Sequence, residues 1–323
     1  MKYGAIDIGT NSMRLLLTES KGKCLLDRKK YINTTRLGQG IDKDGVISEE
    51  SIELNIKALK EFAEKCVEYN CDKVFCIGTA ALRNAKNKEE FVKRAKLEAG
   101  IDVEIISGER EALLGYVGVT KGVDIGNGEI LILDIGGGST EFIFGDKNNI
   151  FYRKSINIGA LVLTERFISS MPEETNEMNT LKKYINEEIS AVIRELKKEY
   201  VKENSEIILF GIGGTITSIS AINQKLEIYS MEKVHKSIVN IKEINKQIEE
   251  ISSMNLSERK NIKGLQPKRA EIILSGELIL KSIMDNLSLD RIQISEFDNL
   301  EGIILEDVSK LNTREEAIHG RGM

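Results

Sequence analysis

The chain has 323 residues, a net charge of −5, 41% hydrophobic and 30% charged residues. That length suits two domains better than a single core. The acidic balance excludes a non-specific nucleic-acid binder, so any polyanion must be met by a local basic site. No apolar run approaches the roughly 18 residues of a membrane span. The N-terminus enters an apolar strand with no signal-peptide h-region, so the expected compartment is the cytoplasm. Cys24, Cys66, Cys71 and Cys76 have no CxxC spacing and read as reduced structural thiols. With no Trp and only two Pro against 27 Gly, loops must be shaped by glycine.

In chain order, residues 3–8 and 14–19 read as two strands around a tight GTNS turn. Helical spacing runs from Glu49 to about Tyr69 behind the cap candidate Ser48. A buried strand follows at 73–77, then a charged helix from Lys88 to Glu98 ending at Gly100. A strand at 102–106 and a helix beginning near Glu109 complete an α/β alternation. The pattern then restarts. Residues 130–135 and 141–144 are again two strands around a glycine turn, GGGST. Residues 161–200 are helical with an interruption at MPEETNEMN. A strand at 206–210 leads through GIGG into a helix starting at Thr215. A charged helix pair spans 243–260, an amphipathic helix 269–284, and RIQIS is a strand. The end is helical from Leu300 to about Lys310, with a polar tail expected to fray after Thr313.

YGAIDIGTNSMRLLL and ILILDIGGGSTEFIF share one order: apolar strand, Asp-Ile-Gly, small polar turn, apolar strand. Their aspartates, Asp7 and Asp134, stand about 127 positions apart. The repeat reads as an internal duplication and predicts two similar α/β domains facing each other across a cleft. The expected bounds are 1–124 and 125–302, with a C-terminal helix at about 303–315 packing back on the first domain. Hinges are expected near Lys121–Gly128 and Asp298–Gly302.

A glycine-rich turn lets successive backbone N–H groups approach a phosphate. Ser12, Ser139 and Thr140 add hydroxyls, and an Asp at each strand end suits a hard cation bridging phosphate oxygens. A strand follows both turns, which excludes a Rossmann fingerprint, and GxxxxGK[ST] is absent. The third cluster, Gly211-Ile-Gly-Gly-Thr215, runs strand, turn, helix. It fits either a phosphate at a helix N-terminus or tight packing alone.

AIDIGTNSMRLLL, IGTAALRNAKN, EIISGEREALLGYVGV, LILDIGGGSTEFIFG, FGIGGTITSISAI and GLQPKRAEIILSG, in this order, resemble the exopolyphosphatase/guanosine pentaphosphate phosphatase family. The likeness runs from about Lys2 to Glu306. It implies two actin-like (ribonuclease H-like) α/β domains, and this chain resembles a short, two-domain member that stops before the helical module of longer members. The resemblance implies Glu111 as catalytic base, a choice over Glu109 that the residues alone leave open. It implies Glu141 as a second catalytic carboxylate that holds water or metal, and Asp7, Asp134 and Glu141 as the carboxylates for Mg²⁺. It implies phosphate contacts from Gly9, Asn11, Ser12, Arg14 and Arg83, from Gly136, Gly137, Gly138, Ser139 and Thr140, and from Gly213, Gly214, Thr215 and Arg269, with Lys268 beside the last. His235 is expected to pack rather than to ligate.

Three positions depart from the family pattern. The SxxGLREG-like segment reads Ser295 to Gly302 here, with Asp298 in place of a Gly and Leu300 in place of an Arg. Val162 stands where another Arg is common. The readings that remain are an exopolyphosphatase acting on inorganic polyphosphate, a phosphohydrolase of guanosine pentaphosphate, and a non-catalytic protein that binds polyphosphate or a nucleotide. The partners implied are those anions, without nucleic acid or membrane, and a homodimer is left open.

Overall fold

The computed structural model describes residues 1–22, 24–201 and 206–319, side chains excepted at 42–43 and 312–319. The chain divides into two compact units, one of Met1–Lys121 with Phe297–Met323 and one of Gly122–Glu296. Among the described residues no helix is long and apolar enough to cross a membrane.

The first unit begins with strands β1 (Lys2–Ile8), β2 (Met13–Lys21) and β3 (Cys24–Asn33). Helices α1 (Ile41–Asp44) and α2 (Glu49–Glu68) lead to β4 (Lys73–Gly78). Then come α3 (Ala80–Asn84), α4 (Lys88–Ala99), β5 (Glu104–Ile105) and α5 (Gly108–Gly122). The second unit holds β6 (Glu129–Ile135), β7 (Thr140–Gly145), β8 (Ile150–Ile156), α6 (Ala160–Phe167) and α7 (Thr175–Glu199). It continues with β9 (Ile207–Ile212), α8 (Gly213–Asn223), α9 (Met231–Val234), β10 (Ile238–Asn240), α10 (Ile241–Ser252) and α11 (Leu256–Arg259). A 3-10 turn at Pro267–Arg269, α12 (Ile273–Leu287) and β11 (Arg291–Ile294) complete it. The last helix, α13 (Asn299–His319), returns to the first unit.

The two sheets have one plan. The first runs β3-β2-β1-β4-β5, and the second runs β8-β7-β6-β9-β11 with β10 added at the edge. In each, the first three strands form an antiparallel meander and the next two continue in parallel. This is the mixed order of two similar α/β domains that the duplicated motif predicts. The meanders hold three strands each, not the two expected. The third strands, β3 and β8, are charged and half-exposed, with sequences CLLDRKKYIN and IFYRKSI that carry little apolar alternation.

Local chemistry sets several boundaries. The Ser48 side chain caps α2 by accepting from the Ser51 amide, and Gly100 closes α4 in a left-handed conformation at φ 68. Helix α8 starts at Gly213 and not Thr215, because Gly213 supplies the φ of +79 that turns β9 into the helix. Residues 267–269 form the 3-10 turn that precedes α12, so that helix starts later than its amphipathic pattern suggests. Of the polar tail expected to fray after Thr313, residues 314–319 continue α13, and 320–323 lie outside the described residues.

In the first unit, alternation along the strands assigns two faces. Ile6, Ile8, Leu15 and Leu17 pack with residues of α2 and α4 such as Leu59, Phe62 and Phe91. Tyr3, Ala5 and Leu16 pack with Leu300, Ile303, Ile304 and Val308 of α13. Residues 297–302, expected in the second domain, therefore belong to the first. Helix α13 crosses α5 closely: a Cβ on Gly118 would lie 2.2 Å from the Asp298 carbonyl oxygen, and one on Gly302 would lie 2.0 Å from that of Leu114. Arg110 of α5 grips Glu306 of α13 through two bonds of 2.6 and 2.8 Å. In the second unit, α12 lies among α6, α7, α8 and α10 over the inner sheet residues Leu131, Leu133 and Phe142.

Two outcomes follow for the α5–α13 crossing. Gly302→Ala places a methyl against a backbone carbonyl that has no rotamer to yield, so urea unfolding should show a loss of about 1–3 kcal/mol. The Arg110 hydrogen bonds hold the Glu306 carboxyl down to about 2, from an ordinary 4.5. A depressed carboxylate stabilises fully above its unfolded pKa and loses that contribution as pH falls toward its folded one. Between pH 4.5 and 2 the wild type should therefore lose more stability than Arg110→Met, as read by thermal unfolding across that range.

Candidate active site

The first hairpin is closed by one bond, from the Gly9 amide to the Ser12 carbonyl at 3.1 Å. Its outer side is buttressed by the segment 36–38, whose Arg36 and Gly38 amides donate to the Asn11 and Thr10 carbonyls at 2.9 Å each. With the carbonyls engaged, the amides of Thr10, Asn11 and Ser12 donate to no protein group among the described residues. Thr10, Asn11 and Ser12 are buried, Asn11 Nδ2 donates to Ser12 Oγ at 3.0 Å, and Asn11 Oδ1 has no partner. The second hairpin repeats this. The Gly136 amide reaches the Ser139 carbonyl at 2.9 Å. The Gly136 and Gly137 carbonyls are taken by the Ala160, Leu161 and Val162 amides at the start of α6. The amides of Gly137, Gly138 and Ser139 likewise have no protein acceptor. Such rows of unpaired N–H groups are anion-binding concavities.

The hairpins differ in what stands across from the aspartate. Asp7 pairs in register with Arg14. Arg14 Nε and Nη2 donate to Asp7 Oδ2 at 3.1 and 2.5 Å. Its Nη1 reaches Asp298 Oδ2 at 2.8 Å, and Nη2 also reaches Asn299 Oδ1 at 2.7 Å. Asp7 Oδ1 is buried without a partner. Asp134 instead pairs in register with Glu141, and both are buried. Glu141 Oε1 accepts from Ser139 Oγ at 2.7 Å and from Ser155 Oγ at 2.6 Å. Thr140, on the opposite face of β7, donates its hydroxyl to the Ile158 carbonyl at 2.6 Å. That proton is therefore not available to the phosphate that the sequence assigned to Thr140.

Glu111 and Glu109 part company on α5. Glu109 is exposed, whereas Glu111 is buried in the first turn, with its amide on the Ser107 carbonyl. Arg83, at the end of α3, gives Nη1 to Glu111 Oε2 at 3.1 Å and to the Ile106 carbonyl at 3.0 Å. Its Nη2 is buried and without a partner. A guanidinium with one nitrogen engaged and the other unsatisfied is a ready anion donor.

In the second unit the third glycine cluster meets the second hairpin. Asp134 is in register with Ile212 of β9. A Cβ on Gly213 would come 2.1 Å from Asp134 Oδ1, and one on Gly214 would come 2.1 Å from Arg269 Nη2. Absent side chains thus let the Asp134 carboxylate and the buried Arg269 guanidinium lie on the start of α8. Thr215 turns its methyl toward Gly276 of α12. His235 accepts the Glu296 amide on Nδ1 at 3.1 Å, a structural bond. Sequence reasoning missed Ser155, Asp298 and Asn299. Ser155 is across from Glu141 in the β7–β8 register, which only a correctly placed β8 reveals.

Hairpins with unpaired amides, strand-end carboxylates and a buried Glu paired with an Arg define a phosphoryl-handling protein on a duplicated α/β fold. The sequence matches the Ppx/GppA phosphatase family over residues 18–311, and the chain belongs to that family. It is 37% identical over 322 residues to the bifunctional 3-dehydroquinate synthase/phosphatase of Fusobacterium nucleatum, covering 94% of this chain and 46% of that protein. It is 29% identical over 319 residues to exopolyphosphatase 2 of Mycobacterium tuberculosis, covering 94% of this chain and 98% of that protein. The chain thus spans about half of the first relative and nearly all of the second. Among solved structures, an exopolyphosphatase from Cytophaga hutchinsonii superposes with a TM-score of 0.86 at 28% identity, covering 96% of this chain and 98% of the other. The family inferred from the motifs is the family found.

Gly214→Ala should test the role of Arg269. The added methyl meets only the far end of a flexible side chain, so the fold should survive. Displacing the guanidinium removes a charged donor worth about 1.5–3 kcal/mol. Calorimetric titration should show orthophosphate binding weakened about tenfold or more by that loss, with the melting temperature little changed.

Proposed function

We propose that the chain is a Mg²⁺-dependent exopolyphosphatase that releases terminal orthophosphate from inorganic polyphosphate, with Glu111 as general base. The observation that carries this is the pairing of buried Glu111 with half-buried Arg83, whose Nη2 is unsatisfied. Support comes from membership in a phosphatase family and from full-length likeness to proteins named exopolyphosphatase.

Phosphoanhydride hydrolysis asks for a positioned water, a proton acceptor and neutralisation of the phosphoryl oxygens. Glu111 accepts the proton of the attacking water at Oε1, while Oε2 stays on Arg83 and fixes the carboxylate plane. Arg83 Nη2, which has no protein partner, is the donor offered to a phosphate oxygen. In the second unit, the amides of Gly137, Gly138 and Ser139 are donors suited to phosphate oxygens, and Arg269 is a charged fork on the start of α8. Ser139 and Ser155 orient the Glu141 carboxylate.

The residues also fit a divalent cation. Asp7 Oδ1 is a buried carboxylate oxygen with no partner, and Asp134 and Glu141 set two buried carboxylates across from each other on β6 and β7. Among the described residues no cluster of three or more His, Cys, Asp or Glu side chains could hold a metal alone. Mg²⁺ takes one or two carboxylates and completes its shell with water and substrate phosphates. Held by Asp7 or by Asp134 and Glu141, it would neutralise charge on the phosphoryl oxygens.

Orthophosphate release should be measured from long polyphosphate, tripolyphosphate, ATP and guanosine pentaphosphate, with and without Mg²⁺. Polyphosphate is expected to be the best substrate. Release confined to guanosine pentaphosphate would move the assignment to that phosphohydrolase, and no release from any substrate would leave a binding protein. Glu111→Gln should lower kcat by about 10²–10⁴ with polyphosphate binding retained. An unchanged kcat would remove Glu111 from the role of base.

A further inference from the structure

Arg14 lies where a phosphate ligand is expected, yet its donors are already directed elsewhere. A guanidinium carries five N–H groups. The four bonds of Nε, Nη1 and Nη2 described above end on Asp7, Asp298 and Asn299. Strand alternation explains the meeting. Residues 3, 5 and 7 of β1 and residues 14 and 16 of β2 share the face that α13 covers, so Asp7 and Arg14 are delivered to the N-terminus of that helix.

That terminus is itself rigid. Asp298 Oδ1 accepts the Leu300 amide at 2.9 Å, and Glu301 Oε2 accepts the Asp298 amide at 3.1 Å, so two amides at the helix start are capped by side chains. Asp298 Oδ2 takes Arg14 at 2.8 Å and Lys30 at 3.2 Å. Glu301 takes Lys30 at 3.1 Å and Arg28 at 3.0 Å. Three cations and three carboxylates, with Asp7, Asp298 and Glu301 all buried, thus share one network. Drawing Arg14 off toward a ligand would take from the buried Asp7 carboxylate the guanidinium bonded to it, a loss that folded proteins avoid.

We propose that Arg14 is a positioning residue for Asp7, anchored by Asp298 and Asn299. It occupies Oδ2 and fixes the carboxylate so that Oδ1 is the oxygen left for a hard cation. The metal in this statement rests on the function proposed above; the clamp itself rests on the hydrogen bonds. Asp298 is the keystone, because its two oxygens serve different masters: one caps α13 and the other holds Arg14.

The test uses the full-length chain, with Arg14→Gln, Asp298→Asn and the milder Arg14→Lys, each first checked for a wild-type circular dichroism spectrum. Mg²⁺ is titrated calorimetrically without substrate, and steady-state kinetics on polyphosphate are run across a salt series. A positioning role predicts Mg²⁺ affinity weakened at least fivefold in Arg14→Gln and in Asp298→Asn. It also predicts kcat lowered tenfold or more, KM within twofold, and an unchanged salt slope. Arg14→Lys, which keeps the charge but not the fork, should behave like Arg14→Gln. A phosphate ligand predicts the reverse: KM raised tenfold or more in Arg14→Gln, a salt slope shallower by about one, Mg²⁺ affinity unchanged, and a lower KM in Asp298→Asn, where Arg14 is released. That second pattern overturns the proposal. If the wild type hydrolyses nothing, the functional reading fails, and the Mg²⁺ titration still decides the clamp. Wild-type affinity retained in Arg14→Gln and Asp298→Asn would overturn it.

Discussion

The side chain across the strand from each terminal aspartate determines what each hairpin can do. Cross-strand neighbours in an antiparallel pair are close enough for opposite charges to attract and like charges to repel. Asp7 has Arg14 across from it and is neutralised inside the protein. Asp134 has Glu141 across from it, two buried carboxylates in one register position. The backbones are copies, down to the single Gly-to-Ser bond that closes each turn, but the local charge has opposite sense. The first hairpin is internally balanced and tied to α13. The second sets two carboxylates side by side, and Glu141 is held there by two serine hydroxyls. Duplication supplied the scaffold, and divergence at one cross-strand position separated the roles.

The turns work because their carbonyls are engaged and their amides are not. Buried backbone groups are almost always paired, so three successive unpaired amides in a buried turn form a site awaiting acceptors. The protein holds the turn open by engaging the opposite polarity: segment 36–38 takes the carbonyls of the first turn, and the start of α6 takes those of the second. Close approach then falls to glycine. A Cβ on Gly159 would come 2.4 Å from Gly137 and Gly138 backbone atoms, so no other residue lets the α6 entry pass beneath the turn.

What the sequence made legible was local. The strand-turn-strand repeat, the Ser48 cap and the Gly100 stop are written in neighbouring residues, and all appear as read. The charged third strands were not legible, because β3 and β8 earn their place by hydrogen-bonding to β2 and β7 and not by burying an apolar face. The choice of Glu111 over Glu109 needed the resemblance. The structure supplies a physical reason, since one is buried on Arg83 and the other is exposed. The assignment of residues 297–302 failed because its cause is remote: Asp298 meets Arg14 across 284 positions and Lys30 across 268. No window of sequence contains both ends of such a bond.

The same network gives meaning to the two departures from the family pattern in that segment. Leu300, in place of an Arg, is fully buried against Tyr3, Ala5 and Leu16, where a guanidinium would have no solvent. Asp298, in place of a Gly, adds a carboxylate one turn away. Burial alone would raise its pKa, but Arg14 and Lys30 outweigh that and hold the carboxyl down to about 2. Burial raises Glu301 in the same cluster. Arg14, Lys30 and Arg28 turn inward onto these two carboxylates. The departures are better understood as a single exchange than as two lost substrate contacts. Apolar packing at 300 seats α13, and the carboxylate at 298 spends Arg14 on the protein's own aspartate.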